Sequence, residues 1–264
     1  MTGLRVAAVG DLHCGRTSKG DLRAMFEAAG AESDVVLLCG DLTDYGLPEE
    51  ARILAKELAG TVKAPVLAVL GNHDHESGFP EEVVRILTDA GVRVLEGDGV
   101  EVKGVGFAGI KGFCGGFGQR TLEPWGEPIV KRFVREAMEE ALKLETALAK
   151  LRTRQKVAVL HYAPVADTVV GEPSEIYAFL GSSRLEEPLN RYGVSAVFHG
   201  HAHRGSLEGR IASGAPVYNV AMPLLKRAFP DRPAVRFVEI APPDDPDRER
   251  RSGVPTRRAE DRGG

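Results

Sequence analysis

Three short apolar runs near the amino terminus, separated by helical patterns, constrain the fold more than any other feature. They cover Leu4–Val9, Asp34–Cys39 and Pro65–Leu70 and are almost continuously hydrophobic, as strands covered on both faces are. The helical patterns lie near residues 20–29 and 49–58, and a repeat of about 30 residues is what a βαβ crossover needs. Six further apolar runs are strand candidates: Val92–Leu95, Val105–Ile110, Lys156–Leu160, Val194–Phe198, Val217–Ala221 and Val235–Ile240. The pattern predicts an α/β fold.

Five polar clusters directly follow apolar runs of the strand type. They are Asp11-Leu12-His13, Gly40-Asp41, Gly71-Asn72-His73-Asp74, His161 and Gly200-His201-Ala202-His203. Ligands of α/β sheets bind outside the carboxyl ends of the strands, so we expect these clusters to meet at one edge. Carboxylates and imidazoles gathered in one place are typical ligands of divalent metals. The sequence therefore predicts a metal site.

In order and spacing, the five clusters resemble the motif blocks of the calcineurin-like metallophosphoesterases, and the likeness covers about residues 4–221. The resemblance implies a four-layer α/β/β/α sandwich, with two mixed sheets inside and helices outside, in a domain spanning residues 1–241. It also implies two divalent metal ions. One would be held by Asp11, His13, Asp41 and His203, and the other by Asp41, Asn72, His161 and His201.

The same resemblance assigns the chemistry. The nucleophile would be a metal-bound water or bridging hydroxide, because divalent cations lower the pKa of water by several units. His73 would be the general acid or electrostatic stabiliser at the leaving oxygen, and Asp74 would orient or polarise it. Mixed oxygen and imidazole ligands suit manganese, iron, zinc or cobalt.

Each cluster has a plainer interpretation when taken alone. An Asp-x-His after a strand is more often a polar loop pair, Gly-Asn-His-Asp is a common turn sequence, and a lone His161 is more often a core histidine. Their joint order favours the metal site. His75 and His199 fall outside the pattern, and Arg16 is either a phosphate contact or a solvated loop residue.

The layout looks most like the small bacterial phosphodiesterases. We therefore expect a phosphodiesterase of small molecules such as cyclic nucleotides, with a phosphomonoesterase or broad-specificity phosphatase as the alternative. A non-catalytic scaffold of the same fold is a distant alternative, since such relatives usually lack metal ligands or the acid histidine, and here all are present. Net charge of −4 and a pI near 6.0 argue against nucleic acid as the partner.

The remaining features concern organisation and compartment. Residues 111–155 are interpreted as a helical insertion, whose long amphipathic helix over Ile129–Leu151 is compatible with a homodimer, and residues 242–264 as a disordered charged tail.

Three cysteines (Cys14, Cys39 and Cys114) are not a disulfide framework, which predicts a reducing cytoplasm. No apolar stretch approaches the ~18 residues of a membrane helix, so no membrane segment is expected.

Overall fold

The apolar runs form the strands of two sheets in the computed structural model, which describes residues 3–20 and 22–241. The predicted tail, residues 242–264, lies outside the described residues. The strands are β1 (Leu4–Val9), β2 (Val35–Cys39), β3 (Val66–Val69), β4 (Val92–Val94), β5 (Asp98–Val102), β6 (Val105–Gly109), β7 (Gln155–Val159), β8 (Ala196–His199), β9 (Glu208–Arg210), β10 (Pro216–Asn219) and β11 (Arg236–Ile240). The α-helices are α1 (Arg23–Glu32), α2 (Pro48–Leu58), α3 (Pro80–Asp89), α4 (Pro128–Lys150), α5 (Tyr177–Leu180), α6 (Glu186–Tyr192) and α7 (Met222–Ala228).

Both sheets are mixed. The first has the order β11-β1-β2-β3-β4, in which β1 to β4 run parallel and β11 is antiparallel to β1. The second has the order β5-β6-β7-β8-β10-β9, with antiparallel pairs at its two edges and parallel pairs between them. Two mixed sheets with helices confirm the predicted fold class.

Side chains that alternate along the strands of the second sheet join two different hydrophobic clusters. Phe107, Val157 and Phe198 pack with the residues of the first sheet, whereas Ala108 and Val197 pack with buried side chains of α4 and α6. This division follows from the pleat, which sends successive side chains to opposite faces. The second sheet is thus covered by the first sheet on one face and by helices on the other.

Helix α1 begins just after the first motif and covers the first sheet through Met25, Phe26 and Ala29. Phe26 is fully buried, so Phe26→Ala removes a ring from the core and leaves a cavity. We expect the free energy of unfolding to fall by roughly 3–5 kcal/mol, measured by urea denaturation. Trp125→Ala is the matched control, because Trp125 is 62% exposed and should change stability by only about 0.5 kcal/mol. Equal losses in both variants would contradict this packing.

Within the described residues, no helix combines the length and the apolar character needed to cross a bilayer. The longest, α4, carries lysines, arginines and glutamates along its outer side and packs its buried residues against the second sheet.

Candidate metal centre

The five predicted clusters come together at one edge of the two sheets. Asp11, Asp41 and Asn72 follow β1, β2 and β3 of the first sheet, and His161 and His201 follow β7 and β8 of the second. Because β1, β2 and β3 are mutually parallel, and β7 and β8 are too, each set of carboxyl ends shares one edge. The site therefore joins the two sheets.

Four of the residues in these clusters adopt left-handed backbone conformations. The φ values are 57° at Asp11, 43° at His13, 48° at Asp41 and 68° at His201, in a region that non-glycine residues rarely occupy. Each such residue costs on the order of 1–3 kcal/mol and persists only where the surroundings enforce it. Hydrogen bonds between the loops do so here: the Asp11 amide donates to Gly40 O (2.9 Å) and the His13 amide to Asp41 O (3.0 Å). This strain is concentrated where the side chains converge.

The side chains form overlapping groups of potential ligands. Three groups have ligand atoms within 4.8 Å of one another: Asp11 with His13 and His203, Asp41 with His161 and His201, and His13 with Asp41 and His73. The first two groups are the cores of the two predicted ligand sets. Asn72 joins the second, because its Oδ1 lies 3.0 Å from His161 Nε2.

Asp41 lies between the two halves of the site. Its Oδ1 is 3.4 Å from His161 Nε2, and its Oδ2 is 3.9 Å from His13 Nε2. That His13 nitrogen is buried and has no hydrogen-bond partner among the described residues. A buried polar atom without a partner is costly, and a cation between it and the carboxylates would satisfy it. The arrangement fits two divalent ions that share Asp41, and carboxylate–imidazole donors suit a transition metal.

Backbone carbonyls orient two of the imidazoles. His161 Nδ1 donates to Cys39 O (3.0 Å), which leaves Nε2 toward Asp41 and Asn72. His201 Nε2 donates to Phe179 O (3.1 Å), which leaves Nδ1 as its lone-pair nitrogen. Such outer contacts fix the tautomer and the ring orientation of metal-binding histidines. The sequence did not single out Phe179, because the group that contacts His201 is its backbone carbonyl, which every residue type has.

The pKa shifts favour the metal-binding forms of Asp11, His13 and His201, whereas the hydrogen bond with Asp11 raises the pKa of His203. Burial raises the pKa of Asp11, but the hydrogen bond from His203 and the neighbouring imidazoles outweigh it, so the net pKa is lowered. Burial also lowers the pKa of His201 to about 4 and lowers that of His13. Deprotonated carboxylates and neutral imidazoles are the forms that bind a metal.

His73 lies at the open side of the site, with its ring 4.6 Å from that of His13. Its Nδ1 donates to Asp44 O (2.7 Å), and its amide donates to Asp41 Oδ1 (2.9 Å). With Nδ1 committed, Nε2 is the atom that can deliver a proton. Burial lowers the His73 pKa, but the Asp44 hydrogen bond and the charge of Asp41 raise it more, so the net pKa is raised.

The structure corrects the role expected of Asp74, because its carboxylate does not contact the His73 ring. It is fully buried and accepts hydrogen bonds from the amides of Leu42 (3.1 Å), Thr43 (2.8 Å) and Gly71 (2.8 Å) and from Thr43 Oγ1 (2.6 Å). Asp74 therefore ties the loop after β2 to the loop after β3. The group that orients His73 is the carbonyl of Asp44, which the motif pattern did not single out.

Replacing Asp74 by asparagine tests this structural role. The side-chain NH₂ would face amide donors that now reach a carboxylate oxygen, leaving at least one buried donor without an acceptor. We expect a loss of about 1–3 kcal/mol in the free energy of unfolding, together with weaker metal binding, measured by urea denaturation and metal titration. Asp89→Asn, a solvent-exposed change at the end of α3, is the control. Unchanged stability in Asp74→Asn would refute the role.

The residues outside the motif pattern have other environments. His199 is buried, with Nδ1 donating to Gly200 O (2.7 Å) and Nε2 2.8 Å from Thr168 Oγ1, and burial lowers its pKa to about 4. It supports the loop that carries His201. Arg16 pairs with Glu49 at the surface (3.3 Å), as expected of a solvated loop residue.

Comparison with protein families and with known proteins supports the family resemblance of the sequence motifs. A model of the calcineurin-like phosphoesterase family matches residues 4–205. The "Probable cyclic nucleotide phosphodiesterase" of Rhodococcus erythropolis is 26% identical over 181 residues, which are 67% of this chain and 53% of that protein. The chain therefore spans about half the length of that relative.

Two solved structures share the fold at low sequence identity. The phosphopantetheinyl hydrolase PptH of Mycobacterium tuberculosis superimposes with a TM-score of 0.65 at 16% identity, over 93% of this chain and 98% of that one. GAP50, the anchor in the inner membrane complex of Plasmodium, superimposes with a TM-score of 0.54 at 14% identity, over 84% and 73%. From the family match over most of its length, this chain belongs to the calcineurin-like phosphoesterases.

Proposed function

We propose that this protein is a dimetal-dependent phosphodiesterase that acts on small-molecule phosphoesters, with cyclic nucleotides among the candidate substrates. The observation that carries the proposal is the position of Asp41 between two groups of ligands, with His73 beside both. Two bound divalent cations would lower the pKa of a water molecule and offset the charge that develops on the phosphoryl oxygens. The family match and the name of the Rhodococcus relative support the same reaction class.

The protein's own residues bind, orient and transfer protons in this reaction. The carbonyls of Cys39 and Phe179 fix the ring orientations of His161 and His201. Asp74 holds the loops of Asp41 and Asn72 together. His73, fixed through Nδ1, donates the Nε2 proton to the leaving oxygen. Geometry of this kind lowers the barrier by positioning the reacting groups before the reaction begins.

A phosphodiester, which carries one negative charge, suits the site better than a phosphomonoester. Arg16, the basic residue nearest in sequence to the first motif, is already paired with Glu49. A second phosphate charge would therefore find little compensation beyond the metals. A phosphomonoesterase remains the alternative that the substrate comparison decides.

The proposal is tested by stripping the protein of metal, refilling it with manganese and comparing a bis-aryl phosphate with its mono-aryl counterpart. We expect the diester to be cleaved at a higher kcat/KM than the monoester, and chelation to abolish both activities. The reverse preference would identify a phosphomonoesterase. Absence of both activities in protein that binds no metal would favour a non-catalytic role.

A further inference from the structure

A second polar pocket lies beside the metal centre, and the mechanism above does not use it. It is a cavity of about 110 Å³ between the turn His73–His75 and helix α4. Its apolar lining comes from Leu70, Leu95 and Ile110, the residues that directly follow β3, β4 and β6. Its polar lining includes Glu96, Lys111 and Glu136. The pocket therefore opens at the sheet edge that carries the metal ligands.

Lys111 brings a cation into this pocket without an ion-pair partner among the described residues. Its Nζ donates to Gly112 O (2.9 Å) and lies 5.0 Å and 5.4 Å from the ring centres of Phe113 and Tyr162. An ammonium has three N–H donors, and a single hydrogen bond within the described part of the chain leaves two of them available. Burial lowers the pKa of Lys111, although the charges of Glu140 and Glu136 oppose it.

The carboxylates of the pocket differ in the hydrogen bonds and ion pairs that they form. Glu140 is buried and fully engaged, because one oxygen accepts from Lys143 Nζ (2.5 Å) and the other from the Gly112 amide (2.8 Å). Glu96 and Glu136 show no side-chain hydrogen bond or ion pair among the described residues, so both remain available as acceptors. The pocket thus offers free donors and free acceptors side by side.

The pocket is one side chain away from the metal ligands. The Tyr162 ring that lies under Lys111 is 4.5 Å from the ring of His201 and 5.3 Å from that of His161. The carbonyl of Lys111 also accepts hydrogen bonds from the amides of His161 (3.0 Å) and Tyr162 (3.1 Å). A substrate whose phosphorus lies at the metal centre could extend one ester arm into the pocket.

We propose that this pocket binds an ester arm bearing a neutral amide-type edge, in which an N–H lies beside a carbonyl oxygen or ring nitrogen. Lys111 would donate to the acceptor of that edge, and Glu136 would accept from its N–H. The lining holds three carboxylates and two ammonium groups, so an anionic arm would meet an excess of negative charge, whereas a neutral group with both functions pairs with Lys111 and Glu136. A nucleobase and an aliphatic amide share this chemistry. The inference rests on the proposed phosphodiesterase activity and specifies its substrate.

The test compares three phosphodiesters that share a p-nitrophenoxide leaving group and differ in the other arm, which is phenyl, thymidine or N-acetylaminoethyl. We expect the thymidine or the acetamide arm to raise kcat/KM over phenyl by on the order of tenfold or more, as a hydrogen bond to a charged group does. In Lys111→Met this ratio should fall close to one, and Lys111→Arg should restore part of it. A preference for thymidine alone identifies a nucleobase, and an equal preference for both identifies the amide edge.

The ratio does not depend on the fraction of folded protein, so a destabilised variant still gives an answer. Lys150→Met, an exposed change at the end of α4, should leave the ratio as in the wild type. Equal ratios in Lys111→Met and wild type, or no preference in the wild type, would overturn the subsite. If the wild type cleaves none of the three esters, the proposed function fails instead. Protection of Lys111 from amine labelling by thymidine 5′-phosphate, but not by phenyl phosphate, would then still support the subsite, and equal labelling would overturn it.

Discussion

Asp41→Asn is expected to reduce phosphodiester hydrolysis to the detection limit and to lower the metal content of the protein. Asp41 belongs to two of the three ligand groups, so its loss affects both halves of the site. Asparagine keeps the shape of the side chain but removes the negative charge. Its NH₂ group would also face either His13 or His161, at the positions where Asp41 now presents oxygens. Metal affinity should fall by more than the roughly 10- to 100-fold that outer contacts contribute.

The measurement is metal content per chain after dialysis, together with kcat on a bis-aryl phosphate. Asp89→Asn is the matched control, because it makes the same chemical change at the exposed end of α3, where Asp89 lies 3.7 Å from Arg85. It should keep the metal content and the activity of the wild type. Two metal ions per chain and an unchanged rate in Asp41→Asn would show that Asp41 does not bridge the site.

The parts of the fold that the sequence predicts are those with continuous apolar runs. The runs that became β1, β2, β3 and β6 are buried along their whole length, apart from Arg5 in β1. Their hydrophobic character is therefore visible without knowing the tertiary structure. Strands β5 and β9 were not predicted, because they are short edge strands whose residues are mostly polar or partly exposed. Strand β5 pairs with β6 across the turn at Lys103 and Gly104, both with positive φ, and β9 pairs with its neighbour β10.

Helix α4 shows a different limit. Its boundaries were predicted to within one residue, because apolar residues recur at helical spacing along the 23 residues of the helix. Its place in the fold was not predicted, because an apolar periodicity identifies the buried face of a helix but not the element that packs against that face. The buried residues Leu144, Ala147 and Leu148 pack on the second sheet. The segment interpreted as an insertion thus supplies an outer layer of the sandwich.

The sequence predicted which side chains meet at the candidate metal centre, but not the main-chain contacts that orient them. Asp11, Asp41, Asn72, His161 and His201 stand at strand ends, where residue type and position carry the information. The carbonyls of Cys39, Asp44 and Phe179, which orient three histidines, can come from any residue type. The interpretation of Asp74 failed for the same reason. Asp74 is next to His73 in sequence, but the turn directs its carboxylate toward main-chain amides and not toward the His73 ring.

His73→Ala is expected to lower kcat while leaving metal content near that of the wild type. The variant keeps Asp11, His13, Asp41, Asn72, His161, His201 and His203, so both predicted ligand sets remain. Loss of a general acid typically costs about 10²- to 10⁴-fold in rate. The loss should be largest for an alkyl ester, whose leaving oxygen needs a proton, and much smaller for p-nitrophenoxide, which leaves as a stable anion. The comparison within one variant is its own control for folding and metal binding.

The pH dependence supplies a second readout. The net effect of the Asp44 hydrogen bond and the Asp41 charge is to raise the His73 pKa, so the acid form persists above the ordinary histidine value of about 6.5. For an alkyl ester, wild-type kcat should therefore decline as the pH rises through that raised pKa, because the proton on Nε2 is lost. This decline should be absent in His73→Ala. Equal losses on alkyl and p-nitrophenyl esters, with the decline retained, would mean that His73 acts through charge alone and that another group supplies the proton.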